Sequence, residues 1–344
     1  MRTLVIQGDW LLRRSHYSNL KISVYDGMER SYLGGVVGFM DKLRQTLTSH
    51  ITDKVVVVWD GAFDGWDKYV QHPSIRAKKE PAWNRRYKAA HAHHSQLSSK
   101  EEHELHILKQ RSLLQSILTA LNVRQIEEER SESSDAIALY VNEAITVGED
   151  VLLLCREHEF FQLLGERVSI LLHDDRIITA ASFPAAYGYD PTNDLMLRCF
   201  IGMPHAGISG EPGLSLHHML HFFHGLKLEH YPYASLISYA RKRRLEPRAP
   251  KTYDTVLGAS DIVRRNSKLI NLKSPIFNSE LEQEKNFCLY SPLETSDGER
   301  AVELFEKHGL RSVIQEDPRA YFLPFQRIRL KEGEYALFHE EITI

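Results

Sequence analysis

Residues 55–59 (VVVVW), closed by Asp60-Gly61, constrain the fold more than any other stretch of the chain. An unbroken apolar, mostly β-branched run has no polar face to offer water, so it suits a strand covered on both sides. Such a strand belongs in the middle of a parallel sheet, and here its C-terminal end carries a carboxylate. Further strand-like runs fall at residues 4–6, 123–126, 151–155 and 168–172. Helical spacing separates them, at residues 34–47, at 102–121 with Asn122 as a stop, at 136–145 behind the capping residues 131–135, and at 159–164. This alternation predicts an α/β fold with a mostly parallel central sheet flanked by helices. Ligands of such sheets bind beyond the carboxyl ends of the strands, where Asp60 and residues 155–159 fall. From about residue 183 the chain reads as mainly helical, with Gly/Pro punctuation between Gly202 and Gly213, and residues 245–300 read as less regular. No internal repeat or long low-complexity segment interrupts it.

The 344 residues are 42% hydrophobic and 26% charged, enough for a sizeable core. A formal net charge of −3 leaves nucleic-acid contact to local basic clusters. Cys155, Cys199 and Cys288 share no metal-ligand spacing, and a sparse, odd count suits a reducing compartment. No apolar run is long enough to span a bilayer, and the opening run is too short for a signal-peptide core. A soluble cytosolic protein is the expectation.

Two segments offer contacts to a phosphate backbone. Residues 76–88 interleave Arg76, Lys78, Lys79, Arg85, Arg86 and Lys88 with Trp83 and Tyr87, which suits phosphate contact with base stacking. Around Gly210, Gly213 and Ser215 a turn can present backbone N–H groups to a duplex phosphate, as helix N-termini do. Residues 241–244 (RKRR) add a short basic run. His217 with His221, or His221 with His224, can share one helix face, but no third and fourth ligands accompany either pair as a zinc site needs. No segment makes a P-loop or dinucleotide fingerprint.

Four collinear segments resemble the structure-specific 5′-nucleases, the superfamily of flap endonucleases and phage and polymerase-associated 5′-3′ exonucleases. Residues 4–12 (LVIQGDWLL) are similar to the family's opening strand and its Asp-Gly-Asn turn. Residues 55–61 followed by Arg86-Tyr87-Lys88-Ala89 resemble its Phe-Asp-Gly strand and downstream Tyr-Lys-Ala. Glu132-Ser-Ser-Asp135, then residues 153–164 (LLCREHEFFQLL), resemble its Glu-Ala-Asp-Asp motif and its Asp-Lys-Asp segment. Residues 187–191 and 201–216 resemble the glycine-rich opening of its helix–hairpin–helix variant. Weaker echoes at Gly38-Phe39, residues 265–270 and 303–312 extend the likeness over about residues 2–315.

The resemblance implies phosphodiester hydrolysis near a 5′ end, flap or branch of DNA. Two Mg²⁺ or Mn²⁺ ions would do this work, held by carboxylates because hard cations prefer oxygen. Asp60, Glu132, Asp135, Glu157 and Glu159 match catalytic metal-binding positions, the last two one methylene longer than the family's aspartates. Gln7 replaces the first aspartate, and Asp9, two residues on, becomes its substitute if the chain turns at Gly8. Ser134, Met203 and Ala206 replace three further acids, and Ser215 and His217 replace a glycine and a lysine. The retained acids favour a 5′-nuclease; the neutral replacements favour a catalytically impaired pseudo-nuclease that binds branched or 5′-ended DNA as an accessory to replication or recombination proteins. An RNA-directed nuclease on the same scaffold is a third reading. The expected organisation is an α/β catalytic-type domain over 1–182 with an arch-like basic segment at about 70–110, a helical DNA-binding region over 183–315, and a tail over 316–344.

Overall fold

A computed structural model describes residues 2–26, 29–93, 97–226, 232–275, 298–314 and 317–328. The central sheet has six strands: β1 (Arg2–Gln7), β4 (Lys54–Trp59), β5 (Arg124–Glu127), β6 (Asp150–Leu154), β7 (Val168–Leu171) and β8 (Ile177–Ile178). Their order is β5-β4-β1-β6-β7-β8, parallel except for β8, so the two strands richest in apolar residues lie in the interior of the sheet. A separate antiparallel hairpin pairs β2 (Ser23–Asp26) with β3 (Glu29–Tyr32).

Strand side chains alternate between faces. Val56 and Val58, with Val5, Val151 and Leu153, enter one core, while Val55, Val57 and Trp59, with Leu4, Ile6, Leu152 and Leu154, enter the other. This is why the run at 55–59 is apolar throughout: both faces are covered. Helices α1 (Gly8–Ser18), α2 (Gly34–Ser49) and α5 (Ser99–Ala120) cover one face. The other face is covered by α6 (Ser133–Thr146), and its core continues without a break into helices that follow residue 183.

Those helices are α8 (Phe183–Tyr187), α9 (Asp194–Ile201), α10 (Leu216–Leu226), α11 (Tyr233–Arg244), α12 (Thr252–Gly258) and α13 (Ser260–Ile270). The last two correct the expectation of an irregular stretch from residue 245. Val263, Asn266, Leu269 and Ile270 form a buried stripe along α13, but Arg264, Arg265 and Lys268 dilute it in the sequence. Of the segment expected as a tail over 316–344, residues 317–328 pack on the sheet, and residues 329–344 lie outside those described. Tyr321, Phe322 and Phe325 are buried against the α2 side of the sheet, and the Tyr321 hydroxyl donates to Asp41 at 2.6 Å. No described helix is long and apolar enough to cross a membrane.

Candidate functional site

The parallel pairing of β1 with β4 sets Gln7 beside Val58, so the residues after both strands emerge at one edge. Asp9 is not part of the strand: α1 begins at Gly8 and Asp9 sits in its first turn. Its buried carboxylate accepts the Asp60 backbone N–H at 2.7 Å and lies 3.6 Å from the Arg111 guanidinium. Burial pushes the Asp9 carboxyl up to about 6, against Arg111 and with the help of the Asp60 charge.

Asp60 itself caps α6. Its Oδ1 accepts the Ser133 N–H at 2.9 Å, so this helix draws its cap from the end of β4 rather than from the Ser/Glu/Asp cluster beside it. Gly61 is required for that approach. A Cβ there would stand 2.0 Å from the Glu128 carbonyl oxygen and 2.2 Å from that of Glu129. Gln7 is a neutral crosslink. Its Oε1 accepts the Arg156 N–H at 3.1 Å, and its Nε2 donates to Ser133 Oγ at 3.4 Å.

Glu132 and Asp135 are bound to lysines. Lys68, in the short helix α3 (Trp66–Tyr69), donates to Glu132 at 2.9 Å and to both oxygens of Asp135 at 3.0 and 3.3 Å. Lys79, in α4 (Pro73–His91), donates to the other Glu132 oxygen at 2.6 Å and to Asp64 at 3.4 Å. The Tyr69 hydroxyl adds a bond to Glu132 at 3.0 Å. Burial opposes the charge of Glu132, but Lys68 and Lys79 outweigh it and hold the carboxyl well below its ordinary value. Burial wins at Asp135, which shares only Lys68 closely and rises to about 6. For both lysines the surrounding carboxylates overcome burial and raise the pKa.

Several cations expected to meet DNA are thus engaged within the protein. Lys79, Trp83 and Arg86 follow one face of α4 and converge on Asp64: the Trp83 Nε1–H donates at 3.0 Å, and Arg86 donates to the same carboxylate oxygen. Lys78 donates to the Gly207 carbonyl at 3.0 Å and Lys88 to Glu101 at 3.0 Å. Arg76 stacks on Trp66 at 3.9 Å and pairs with Glu80, and Arg85 is half-buried on the same helix.

Gly210 packs against the Ile201 backbone, where a Cβ would come within 2.2 Å. Gly213 and Ser215 are exposed, and Ser215 Oγ lies 3.1 Å from His218 Nδ1 at the start of α10. Asn266, buried in α13, fixes this segment by donating to the Cys199 and Ser209 carbonyls at 2.9 and 3.0 Å. Glu157 and Glu159 fall in α7 (Glu157–Phe160) directly after β6, but their side chains lie outside the described residues.

The described groups do not suit a hard dication. No three His, Cys, Asp or Glu side chains among them converge where an ion could sit. Ser134, Met203 and Ala206 line a cavity of about 10 Å³ with Ile208, Leu269, Lys68 and Glu132. That volume takes roughly one water at most. Mg²⁺ needs octahedral oxygen ligands and usually keeps several waters.

Lys68, Lys79 as a ligand of acids, Asp64, Arg111 and Asn266 carry much of this site and are not signalled as such by the sequence. Only the i, i+4, i+7 spacing of Lys79, Trp83 and Arg86 points to a shared target. Lys68 meets partners more than sixty residues away, which no local pattern records.

A parallel sheet with acids at its C-terminal edge, covered by a basic helix, defines an α/β protein whose ligand site lies beyond the carboxyl ends of its strands. The family model of the 5′-3′ exonuclease N-terminal, resolvase-like domain matches residues 2–188, more than half of the chain, and the chain belongs to that family. It is 27% identical over 214 residues to the thermostable DNA polymerase I of Thermus filiformis and 26% over 213 residues to that of Thermus thermophilus. These matches cover 62% of this chain and 22% of either polymerase. Among solved structures, the bacteriophage T5 5′-exonuclease with bound zinc superposes with a TM-score of 0.59 at 13% identity, covering 90% of this chain and 99% of that one. A phage T5 flap endonuclease in a pseudo-enzyme–product complex with DNA and metal ions also gives 0.59 at 13% identity, covering 94% and 98%. The fold is that of the 5′-nucleases.

Proposed function

We propose that this chain binds DNA at 5′ ends, flaps or branches on a 5′-nuclease scaffold and holds it without metal-dependent hydrolysis. Family membership supports DNA and the 5′ end as the target. One observation carries the remainder: Glu132 and Asp135 are matched by the ammonium groups of Lys68 and Lys79. A dication entering there would meet fixed positive charge, not surplus negative charge.

The rim favours a polyanion. The His205 imidazole is held down to about 4, by burial first and then by Arg156, Arg198, His158 and Lys79, which marks a cationic neighbourhood beside the acid edge. Arg76, Lys78, Arg85, Arg86 and Lys88, with Gly210, Gly213 and Ser215, form the proposed DNA-facing set, while Lys79, at the border of that set, stays on Glu132; those of the set now paired internally would exchange their partners for phosphates. The helices after residue 183 would support the duplex. Replication or recombination proteins of a bacterial or phage-infected cytoplasm are the proposed partners.

The second reading is a Mg²⁺- or Mn²⁺-dependent 5′-3′ exonuclease or flap endonuclease. The retained Asp60, Glu132 and Asp135, with Asp9 beside them and Glu157 and Glu159 following β6, favour it. Fluorescence anisotropy and denaturing gels with a 5′-labelled flap, a nicked duplex and a blunt duplex separate the two. The first reading expects flap binding tighter than blunt-duplex binding, equal in EDTA and Mn²⁺, with the label intact. Shortened labelled product in Mn²⁺ would establish the second and end the first.

A further inference from the structure

The two lysines at the acid edge have a geometry that goes beyond neutralisation. One ammonium, that of Lys68, faces three carboxylate oxygens from two residues within 3.3 Å, matching its three N–H donors. Glu132 is saturated: Lys79 and Tyr69 reach one oxygen, Lys68 and Tyr69 the other. Lys68 and Asp135 are both buried, so neither is a surface charge passing through. We propose that Lys68, assisted by Lys79, is a covalently tethered counter-cation standing where the family would place a divalent metal, and that it blocks metal binding by Glu132 and Asp135.

This inference rests on the binding-without-hydrolysis reading and names the residues responsible for it. Three features act in the same direction. Gln7 spends its amide on Ser133 and Arg156, Met203 and Ala206 bring uncharged side chains to the adjoining cavity, and Lys68 supplies positive charge from within the fold. The ammonium is the feature tested by a single substitution. Replacing it with the similarly shaped, uncharged methionine leaves Glu132 and Asp135 side by side with unbalanced negative charge, a pair of oxygen ligands suited to a hard cation.

The test uses Tb³⁺ luminescence sensitised by the neighbouring Tyr69, Trp66 and Trp83, with Mn²⁺ as competitor, on the full chain. Wild type is expected to give no saturable signal. Lys68→Met is expected to melt at a lower temperature, to bind Tb³⁺ saturably, to release it to Mn²⁺ and to recover melting temperature when Mn²⁺ is added. Lys79→Met, which frees only one Glu132 oxygen and Asp64, should show the same gain more weakly; it decides the matter if Lys68→Met does not fold. Lys68→Met with Asp135→Asn should fold and lose the gain. Folded lysine variants that bind no Tb³⁺ would overturn this inference and leave the binding reading standing. Saturable Tb³⁺ binding by wild type, competed by Mn²⁺, would overturn it as well, whereas flap cleavage by wild type is the separate result that sinks the binding reading.

Discussion

The carboxylate of Asp60 has two conceivable jobs, holding a metal or capping a helix, and substitution by Asn and by Ala tells them apart. Asp60 Oδ1 accepts the first N–H of α6 at 2.9 Å. Losing an N-cap acceptor costs about 0.5–2 kcal/mol. The negative charge at the helix N-terminus adds roughly 0.3–1 kcal/mol through the helix dipole. Asp60→Ala loses both, for an expected destabilisation of about 1–3 kcal/mol from these two terms. Asp60→Asn keeps an acceptor oxygen in the same place and loses only the charge, for about 0.3–1 kcal/mol. Loss of the Asp60 charge also lowers the opposition to ionised Asp9, whose carboxyl it helps to raise, and this trims the cost of both variants. Urea unfolding at pH 7 followed by circular dichroism, with and without Mn²⁺, measures each value. The capping assignment requires Asn to be clearly milder than Ala and both differences to ignore Mn²⁺. Equal losses in Asn and Ala, or a wild-type stability that climbs with Mn²⁺ while the Asn variant stays flat, would refute it.

Three further outcomes follow from neighbouring geometry. Gly61→Ala drives a methyl into the carbonyls of Glu128 and Glu129, so unfolding experiments should show a loss of about 1–3 kcal/mol or more; a neutral effect would mean that the 128–131 loop does not pack there. Asn266→Ala should cost about 1–3 kcal/mol, because it orphans the buried Cys199 carbonyl. The Ser209 carbonyl keeps its bond from Arg265 at 2.5 Å, so a loss well above that range would contradict this division. Asp9→Asn should flatten the pH dependence of stability. Native Asp9 titrates near 6 against an ordinary 3.8, so the folded state binds the extra proton, and wild-type stability falls as pH rises from about 4 to about 6. Burial sets this value first, adjusted by Arg111, Asp60 and Arg13; Asp135, also raised to about 6, supplies the slope that remains, and an unchanged slope in the Asn variant would assign the whole of it there.

What the sequence made legible was whatever repeats locally. The unbroken apolar run of β4 announces two covered faces, and strand–helix alternation announces the parallel sheet. Aspartate at the end of β4 marks the edge where the site lies. The hairpin of β2 and β3 was not legible, because its four-residue strands carry mixed polar residues and pair only with each other. Capping chemistry was visible at residues 131–135, yet the cap comes from Asp60, more than seventy residues away in sequence. The basic segment read as a surface for phosphates because its charge is obvious and its partners are not. Once it is wound as α4, one face turns Lys79 and Arg86 inward to acids contributed by the loop after β4 and by α6. Local periodicity finds elements; it does not find the ion pairs that long-range packing creates.

Exchange of a metal for a lysine alters how the edge meets DNA, not only whether it cuts. A metal-loaded acid cluster changes its net charge with the metal supply, so its attraction for phosphate follows the metal. A tethered ammonium does not dissociate. With Glu132 and Asp135 answered by Lys68 and Lys79, the attracting field at the edge is left to the exposed Arg156 and to the outward face of α4. Binding governed by such a field falls steeply with NaCl, because added salt opposes the counterion release that drives it, and is indifferent to EDTA. Neutralising an exposed phosphate-facing cation, as in Arg156→Ala, should weaken binding to every DNA substrate by a similar factor. It should also shallow the salt slope by about one unit for each phosphate no longer neutralised. Anisotropy titrations across NaCl concentrations, with EDTA or Mn²⁺ present, measure both. An affinity that rises sharply with Mn²⁺ at constant ionic strength would put a metal back at the edge and show that the lysines yield to it.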